Sequence, residues 1–434
     1  MPPSYAGTVI VQTNTSAHQD KALLVCLMSG SMTEETGNYH LAELEGLCET
    51  MGVMAQQKLL VRLREPQPKF LLGTGKVDEL VQIARDADLD FIIFDDSLSP
   101  SQQRNWEAIA SCAVIDRQEV ILEIFAQRAK TREAVLQVGL ARMIYSLPRL
   151  TRRFVNLSQQ RGGVKGAKGS GETQLELDRR VVLDKIVVLK DELKKIREQR
   201  ALTRKKRVGS SLLQGAIVGY TNSGKSSLLN ALSDAGVLAE DKLFATLDPT
   251  TRKVSLGPGR ELLVTDTVGF IQKLPHQLVE AFQATLEESL YADFLIHLAD
   301  GNHPQVSAQI ETSLEVLKEL GAQDKPMILV LNKCDLWKED PLKQRMLENL
   351  YPDAVFISVK TGEGLETLAR RFEAEIDLLS PRIWFEFPLT RGDLAALLHR
   401  EAQVLSEEYT DTGIRMEASV TEALKAKLLD YMVD

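Results

Sequence analysis

The sequence comprises 434 residues with a formal net charge of −9, and 44% of its residues are apolar. At about 100 to 200 residues per domain, this length predicts several domains, each large enough to bury a core. The chain lacks the run of roughly 18 apolar residues that a membrane-spanning helix requires, and its first residues show no export-signal pattern. The four cysteines form no CxxC pair, which argues against a disulfide framework or a zinc site. We therefore expect a cytoplasmic protein without an integral membrane segment. We also expect it to be monomeric.

Residues 1–125 are predicted to form an α/β domain, because short apolar runs alternate with helix-spaced apolar residues. The runs predict strands at residues 22–28, 57–63, 70–72, 91–94 and 113–115, and helices at 41–51, 77–87 and 101–110. Gly73 to Lys76 is similar to part of a phosphate loop, but its spacing is too short for GxxxxGK, so we interpret it as a turn into the second helix. Parallel pairing of the strands is expected from this alternation.

Residues 126–210 are predicted to form an antiparallel helical hairpin. Apolar residues recur at helix spacing in two stretches, first at Leu136, Leu140, Met143 and Leu147, and then at Leu175, Val182, Ile186, Leu189, Leu193 and Ile196. Two such seams can bury each other, which leaves the connection from Pro148 to Gly171 at an exposed tip. The basic run from Arg204 to Arg207 is interpreted as a solvated linker to the next domain.

The hairpin region carries an excess of positive charge. Residues 128–207 contain 22 Lys and Arg against 8 Asp and Glu, a local charge of +14 that leaves −23 for the remainder. A basic segment in an acidic protein indicates a local contact with a polyanion such as RNA, and a flexible, solvated loop is the alternative. The candidates for RNA contact at the Gly-rich tip are Arg149, Arg152, Arg153, Arg161, Lys165 and Lys168.

Residues 211–377 repeat a strand followed by a helix, which predicts a further α/β domain. Its predicted strands lie at 216–218, 262–265, 294–298, 327–331 and 355–358, and its first helix spans 227–232. Residues 378–434 are predicted to form a small α+β domain with a strand at 383–387, a helix at 392–407 and a strand at 414–420. The candidate functional residues follow the strands of the third domain.

A GxxxxGK[ST] motif runs from Gly219 to Ser226, between the first strand and the first helix of this domain. In that context glycines let backbone N–H groups approach phosphates, and the helix N-terminus adds its positive dipole end. Lys225 is predicted to reach the β and γ phosphates, and Ser226 to supply a hydroxyl ligand for Mg²⁺. The alternative is a turn that merely caps a helix, and chance produces such a match in this length at about one per cent.

Two further motifs predict a nucleotide-dependent switch. Thr246, within Phe244 to Asp248, is placed to complete the magnesium coordination while a γ-phosphate is present. Asp266 begins the run Asp266 to Gly269 at a strand end, so its carboxylate is expected near the metal and the Gly269 N–H near the γ-phosphate.

Guanine selectivity is predicted from Asn332 to Asp335 and from Ser358 to Lys360, each at the end of a strand. The Asp335 carboxylate can accept hydrogen bonds from the N1–H and N2–H₂ groups of guanine, a donor pair that adenine lacks. Backbone and hydroxyl groups of Ser358 to Lys360 are placed to contact guanine O6. Each motif alone occurs in ordinary loops, whereas all of them together predict a P-loop GTPase domain.

The predicted GTP-binding residues are Gly219, Tyr220, Thr221, Asn222, Ser223, Gly224, Lys225, Ser226, Phe244, Ala245, Thr246, Leu247, Asp248, Asp266, Thr267, Val268, Gly269, Asn332, Lys333, Cys334, Asp335, Ser358, Val359 and Lys360. The predicted catalytic residues are Lys225, Thr246, Gly269 and Phe270, and the predicted metal ligands are Ser226 and Thr246. Phe270 stands where Ras-like GTPases carry the glutamine that orients the attacking water. We therefore expect slow intrinsic hydrolysis that a partner accelerates, with Gln272 or His276 as alternatives within the chain.

The switch sequence from Phe244 to Thr250 and the run from Asp266 to Ile271 resemble those of the HflX family of translational GTPases. Features outside the GTPase domain support the resemblance, which covers roughly residues 20 to 380. They are the Gly-rich run Arg161 to Glu176, the run Asp178 to Arg180, the run Leu72 to Leu80, and Ile115 to Arg117.

The resemblance implies a GTPase that binds the large ribosomal subunit and its RNA. It also implies that the GTP-bound form splits stalled or vacant ribosomes into subunits, and that the ribosome stimulates hydrolysis. An assembly factor for the large subunit is the alternative. A tRNA-modifying GTPase is disfavoured because the chain has no C-terminal cysteine or folate-binding pattern. A binding module without turnover is disfavoured because every expected phosphate and guanine position is filled.

Overall fold

The computed structural model describes residues 19–30, 32–150, 170–207, 212–233, 243–244, 246–257, 260–273, 288–337, 340–420 and 422–433. The chain divides into two compact units, Met1–Ile124 and Phe125–Asp434. The first unit contains one sheet, and the second contains two sheets and a helical hairpin. No helix in these ranges has both the length and the apolar composition needed to cross a membrane.

The first unit is an α/β domain built on a parallel sheet. Its strands are β1 (Lys21–Met28), β2 (Met54–Arg62), β3 (Phe91–Phe94) and β4 (Ala113–Asp116). Its helices are α1 (Glu34–Met51), α2 (Thr74–Asp86), α3 (Pro100–Ile109) and α4 (Arg117–Arg128), the last of which crosses the division between the units. The strands pair in parallel in the order β2-β1-β3-β4. Because β1 and β3 are buried almost throughout, they read in the sequence as continuous apolar runs, as strands covered on both faces do.

Two sequence expectations in this unit did not hold. Residues 70–72 were predicted to be a strand, but Leu71 forms an isolated bridge with Gln67. The apolar character of this run reflects the burial of Phe70 and Leu72 in the core. α4 has no counterpart in the sequence prediction, because the stretch Val120 to Ile124 is almost entirely buried and shows no helical alternation of apolar and polar residues.

The turn that enters α2 agrees with the sequence interpretation. The helix begins at Thr74, and Gly73 is its N-cap residue. Added Cβ atoms at Gly73 and Gly75 would meet no neighbouring atom within 4 Å. The Gly73 to Lys76 run thus leads the chain into a helix.

The second unit begins with a hairpin of α5 (Arg132–Ser146) and α6 (Ser170–Arg207). Leu140, Ile186 and Leu193 are buried between the helices, with Leu136, Met143, Ile144, Leu147, Val182 and Leu189 packed around them. Arg132 NH2 lies 3.2 Å from Glu192 Oε2, while Cβ built on Gly139 would lie 4.0 Å from Leu189 Cδ1. These pairs run in opposite order along the two helices, so the helices are antiparallel, as predicted.

The end of α6 corrects a sequence prediction. The helix continues to Arg207, so the run from Arg204 to Arg207 is helical and is not an irregular linker. Lys and Arg are good helix formers, and a basic run alone therefore does not mark the end of a helix. The hairpin tip, residues 151–169, lies outside the described residues.

A six-stranded sheet follows in the second unit. Its strands are β5 (Gln214–Val218), β6 (Thr250–Gly257), β7 (Arg260–Asp266), β8 (Phe294–Asp300), β9 (Met327–Asn332) and β10 (Val355–Phe356). Its helices are α7 (Lys225–Ser233), α8 (Val306–Glu319), α9 (Pro341–Leu350) and α10 (Leu365–Leu379). The order is β10-β9-β8-β5-β7-β6, and β6 pairs antiparallel to β7 at the edge. β6 was not predicted because Val254 is its one fully buried residue.

The chain ends in a small antiparallel sheet domain. Its strands are β11 (Arg382–Pro388), β12 (Gln403–Tyr409), β13 (Gly413–Ser419) and β14 (Met432–Val433), in the order β12-β13-β11-β14. Its helices are α11 (Gly392–Glu401) and α12 (Glu422–Lys427). The predicted helix at 392–407 was too long, because the chain turns extended at Ala402 and continues as β12, which pairs with β13. Tertiary pairing here outweighs local helix preference.

Candidate functional site

The loop from Gly219 to Ser226 joins β5 to α7 at the carboxyl end of a strand inside the six-stranded sheet. Gly219 has φ +145°, and a Cβ added there would lie 2.0 Å from the Leu298 carbonyl oxygen. Gly224 has φ +97°, and its Cβ would lie 2.4 Å from Asn332 Nδ2. Both positions require glycine, because the loop lies against the ends of β8 and β9.

Two buried charged residues lie at this site: Lys225 belongs to the loop, and Asp266 is the last residue of β7. Lys225 is buried, and its Nζ donates a hydrogen bond of 2.8 Å to the Tyr220 carbonyl oxygen. Burial lowers the pKa of Lys225 to about 8, although the charge of Asp266 opposes this shift. Burial also raises the pKa of Asp266, and the charge of Lys225 opposes that shift in turn. The two groups are thus held as a desolvated pair of opposite charge beside the loop.

Three oxygen-bearing side chains converge next to this pair. Asp266 Oδ2 accepts hydrogen bonds from Ser226 Oγ at 2.7 Å and from Thr246 Oγ1 at 2.9 Å, and the two hydroxyl oxygens lie 2.6 Å apart. Asp266 Oδ1 is buried and makes no hydrogen bond within the described residues. Hydroxyl and carboxylate oxygens are the ligands that Mg²⁺ prefers. These three residues therefore fit a magnesium ion.

Asn332 links the first loop to the loops that follow β9 and β10. Its Nδ2 donates to the Ser223 carbonyl oxygen at 2.9 Å, and its Oδ1 accepts from the Val359 N–H at 3.1 Å. The sequence assigned Asn332 to nucleotide binding, whereas the structure gives its amide two partners within the protein. Asp335 follows in a short 3-10 turn, Cys334–Leu336, and remains partly exposed.

The rest of the guanine loops is also fixed by hydrogen bonds. Lys333 has φ +66°, and its Nζ lies 2.7 Å from Asp300 Oδ2. The Cys334 N–H donates to the Ile357 carbonyl oxygen at 3.0 Å, and Ser358 Oγ accepts from the Thr361 N–H at 3.2 Å. The loops after β9 and β10 therefore lie side by side at one edge of the sheet.

Phe270 corrects a sequence prediction, because its ring is 1% exposed and packs in the core with Val218 and Leu295. Its N–H donates to the Gly219 carbonyl oxygen at 3.0 Å, and its carbonyl oxygen accepts from the Thr221 N–H at 2.8 Å. A ring buried in this way cannot touch a nucleotide. Phe270 thus supports the phosphate loop through its backbone, and it has no place among the catalytic side chains.

The neighbours of Phe270 differ in their placement. A Cβ built on Gly269 would lie 2.9 Å from Lys225 Nζ, so this backbone lies directly beside the lysine. Gln272 is partly buried, and its N–H donates to the Tyr220 hydroxyl at 2.8 Å. His276, the other alternative for orienting water, lies outside the described residues.

The segment around Thr246 contacts the C-terminal part of α4 and the N-cap of α5, which the sequence did not predict. Phe244 is buried, with its ring centroid 4.7 Å from that of Phe125. The Asp248 carboxylate, assigned to the nucleotide, instead accepts hydrogen bonds from Thr131. A Thr before a helix is a recognisable N-cap signal, but no local pattern reveals a partner 117 residues away. Ala245 lies outside the described residues.

Among the predicted RNA contacts, Arg149 is the one that the structure describes. Its guanidinium lies 3.6 Å from the ring centroid of Tyr145, and NH1 donates to the Tyr145 carbonyl oxygen at 3.1 Å. Arg149 is therefore engaged within the hairpin. Arg152, Arg153, Arg161, Lys165 and Lys168 lie outside the described residues.

Several features lie together at the carboxyl ends of the parallel strands: the glycine loop with the buried Lys225, the oxygens of Ser226, Thr246 and Asp266, and two loops linked by Asn332. Together they define a P-loop GTPase. The family models agree: they are described as "GTP-binding GTPase N-terminal" over residues 38–126, "GTP-binding GTPase Middle Region" over 128–207 and "50S ribosome-binding GTPase" over 214–333.

Relatives named GTPase HflX match most of the chain. The protein from Akkermansia muciniphila is 46% identical over 425 residues, which cover 96% of this chain and 97% of the relative. The protein from Escherichia coli is 38% identical and covers 92% of each chain. A crystal structure of a GTP-binding protein from Sulfolobus solfataricus in complex with GDP is 26% identical, covers 82% of this chain and 98% of that one, and has a TM-score of 0.41. The chain belongs to the HflX family of GTPases, and it binds and hydrolyses GTP.

Proposed function

We propose that this GTPase acts in the cytoplasm on the large ribosomal subunit, that its GTP-bound form splits stalled or vacant ribosomes, and that the ribosome stimulates hydrolysis. The observation that carries the proposal is the match of residues 214–333 to the model described as "50S ribosome-binding GTPase". The charge of +14 over residues 128–207 supports it, because an RNA-rich partner attracts a basic hairpin.

The site geometry supports a role for each nucleotide-binding side chain. Lys225 holds the β and γ phosphates, since a desolvated ammonium interacts strongly with a phosphate. Asp335 accepts hydrogen bonds from guanine, while Asn332 keeps the phosphate loop and the guanine loop at a fixed separation. The Gly269 N–H faces the γ-phosphate.

Ser226 and Thr246 would hold Mg²⁺, with the Asp266 carboxylate beside them. When bound, Mg²⁺ would supply positive charge next to the phosphates. Thr246 lies on a separate segment from Ser226, so its approach to the site brings the switch segment onto the phosphate loop. This movement is how the chain distinguishes GTP from GDP.

The burial of Phe270 supports slow intrinsic hydrolysis. No polar side chain at this position can orient the attacking water, so a partner must order the switch or supply a group. The ribosome is the partner that the family match and the basic hairpin favour.

Contact with ribosomal RNA is proposed for Arg161, Lys165 and Lys168 of the hairpin tip. Changing all three to Gln should weaken binding to large subunits and lower the slope of log affinity against log salt by about 2 to 3, because each phosphate contact contributes about 0.7 to 0.9. An unchanged affinity and slope would contradict an RNA contact at the tip.

Sedimentation tests the splitting activity. Vacant ribosomes are incubated with the protein and a non-hydrolysable GTP analogue and then separated on a sucrose gradient, with GDP as the control. Splitting predicts free subunits with the analogue, and an intact ribosome peak with GDP. Intact ribosomes in both, together with binding to immature large particles, would favour an assembly factor.

A further inference from the structure

The carboxylate of Asp248 lies at the N-terminus of the hairpin helix α5. Its Oδ1 accepts a hydrogen bond of 2.5 Å from the Thr131 hydroxyl, and its Oδ2 accepts from the N–H groups of Thr131 at 3.3 Å and Lys130 at 3.4 Å. Helix N-termini have unsatisfied N–H groups and a positive dipole end, so a carboxylate is favoured there. The Thr131 hydroxyl also accepts from the Ala134 N–H at 3.2 Å, as an N-cap does. One side chain therefore caps α5 and binds the switch segment.

A second contact fixes the other side of the same segment. Phe244 is 3% exposed and sits at φ +54°, and its ring meets that of the fully buried Phe125 edge to face, at 74° between the planes. Edge-to-face pairs of this kind add stabilisation beyond their buried area. The backbone of the switch segment is thus held before Thr246 as well as after it.

Thr246 lies two residues from each of these contacts. Two residues of chain span at most about 7 Å, so the contacts at Phe244 and Asp248 restrict where the Thr246 hydroxyl can lie. That hydroxyl is within hydrogen-bond distance of both Asp266 and Ser226. The contacts with Phe125 and Thr131 consequently keep the Thr246 hydroxyl beside Asp266 and Ser226.

We propose that Thr131 is a positioning residue of the GTPase site: through Asp248 it holds the Thr246 hydroxyl beside Ser226 and Asp266, so the hairpin stabilises the GTP-bound form of the switch. This inference rests on the proposed role of Thr246. The coupling is reciprocal, because two sites that share a conformational equilibrium change each other's affinity by the same factor. A ligand that moves the start of α5 away from Asp248 therefore weakens GTP binding, and GTP binding favours the docked hairpin.

The full-length Thr131→Asp variant separates positioning from helix capping. Asp is as good an N-cap as Thr, so α5 keeps its cap, but the new carboxylate repels that of Asp248. Affinities for a fluorescent non-hydrolysable GTP analogue and for fluorescent GDP are measured across a magnesium titration. The proposal predicts affinity for the analogue about three- to tenfold weaker, a higher magnesium midpoint, and unchanged affinity for GDP. Unchanged affinity for the analogue would overturn it.

Two further variants complete the test. Adding Asp248→Asn to Thr131→Asp removes the repulsion and should restore affinity for the GTP analogue to within about twofold of the starting protein. Thr33→Asp makes the same substitution at the N-cap of α1, where Thr33 accepts from the Thr36 N–H at 3.2 Å, and it should have no effect. A loss in Thr33→Asp equal to that in Thr131→Asp would also overturn the proposal.

Thr246→Ala separates this inference from the proposed function. If Thr246→Ala weakens binding of the analogue while Thr131→Asp does not, positioning by Thr131 is wrong and the role of Thr246 stands. If Thr246→Ala leaves the analogue and the magnesium midpoint unchanged, the role of Thr246 is wrong and the inference that rests on it is overturned as well.

Discussion

The four-stranded parallel sheet of the first unit and the six-stranded, largely parallel sheet both have charged side chains at the carboxyl ends of their strands, but the surroundings of those charges differ. In the first unit Arg117 follows β4 and forms buried ion pairs with Glu43 and with Asp95, which follows β3. Burial acts to lower the pKa of Arg117, but the two carboxylates outweigh it and raise the pKa. In the six-stranded sheet, burial lowers the pKa of Lys225 and raises the pKa of Asp266, so burial favours the neutral form of each group.

The difference lies in the loops rather than in the sheets. Where Arg117 is enclosed, protein carboxylates supply its counter-charges, and all three side chains are buried. Where Lys225 lies, glycines at 219 and 224 keep the backbone close to neighbouring strands and leave the lysine facing a loop that can bind an anion. The six-stranded sheet thus presents its buried cation beside a glycine loop, whereas the first sheet encloses its cation between two carboxylates.

The greatest change is predicted for the stability of the first unit, at the carboxyl edge of its sheet around Arg117. Arg117→Met should destabilise the first unit by about 3 to 5 kcal/mol, because it removes the guanidinium that pairs with the buried Glu43 and Asp95 carboxylates. Urea unfolding measures the change in the free energy of unfolding, and hydrogen exchange of the β1 and β3 amides shows whether the loss lies in the first unit.

Arg85→Met is the matched control for that experiment. Arg85 is exposed and donates to Ser111 Oγ at 3.2 Å and to the Ile109 carbonyl oxygen at 3.1 Å, so its loss should cost about 1 kcal/mol or less. Equal destabilisation by the two variants would contradict a larger contribution to stability from the buried ion pairs of Arg117 than from the exposed hydrogen bonds of Arg85.

The second prediction concerns nucleotide binding at the carboxyl edge of the six-stranded sheet. Asp335→Asn should weaken GTP binding by about a hundredfold, since it replaces one of the two carboxylate oxygens that accept guanine hydrogen bonds with an N–H donor. It should improve the binding of xanthosine triphosphate, which carries a carbonyl acceptor where guanine carries its 2-amino group. Calorimetry measures both affinities. Asp340→Asn is the control, because Asp340 caps α9 through the Lys343 N–H at 3.2 Å; an equal loss there would contradict a specific role for Asp335.

A smaller effect concerns pH. His297 is buried in β8, and burial, with the charge of Lys225, lowers its pKa from 6.5 to about 4. Above pH 6.5 the imidazole is neutral in the folded and unfolded states alike. Below it the unfolded chain takes up a proton that the folded chain does not, so stability falls as the pH drops towards 4.

At pH 5 the expected loss from His297 is about 2 kcal/mol relative to pH 7.5. Hydrogen exchange of the β8 amides at the two pH values measures it, and His297→Gln should abolish this part of the pH dependence. His399→Gln replaces a histidine that is 51% exposed beside Glu407 and should leave the β8 exchange unchanged. An identical pH dependence in His297→Gln and the starting protein would contradict the assignment.

The two edges also differ in how far the sequence predicted them. The phosphate loop and the guanine loops have local signatures, because each needs fixed residues at fixed spacing. The positions of Ser226, Asp266 and Thr246 in one cluster follow from strand order, which the sequence could suggest. The triad of Glu43, Asp95 and Arg117 has no local signature, since its members come from separate elements.

The sequence is a poor guide to those elements that tertiary contacts determine. β6 carries one buried residue, so it resembles a loop until β7 pairs with it. β12 follows a helix directly and was read as its continuation. The contact between Asp248 and Thr131 joins residues 117 apart, and the core position of Phe270 depends on which face of the sheet its segment meets.

Single-turnover GTP hydrolysis with and without large ribosomal subunits tests the central claim, that a site with Phe270 in its core depends on a partner for catalysis. We expect slow hydrolysis by the protein alone and acceleration by about a hundredfold or more with large subunits. Fast hydrolysis by the protein alone, at a rate that large subunits leave unchanged, would contradict it.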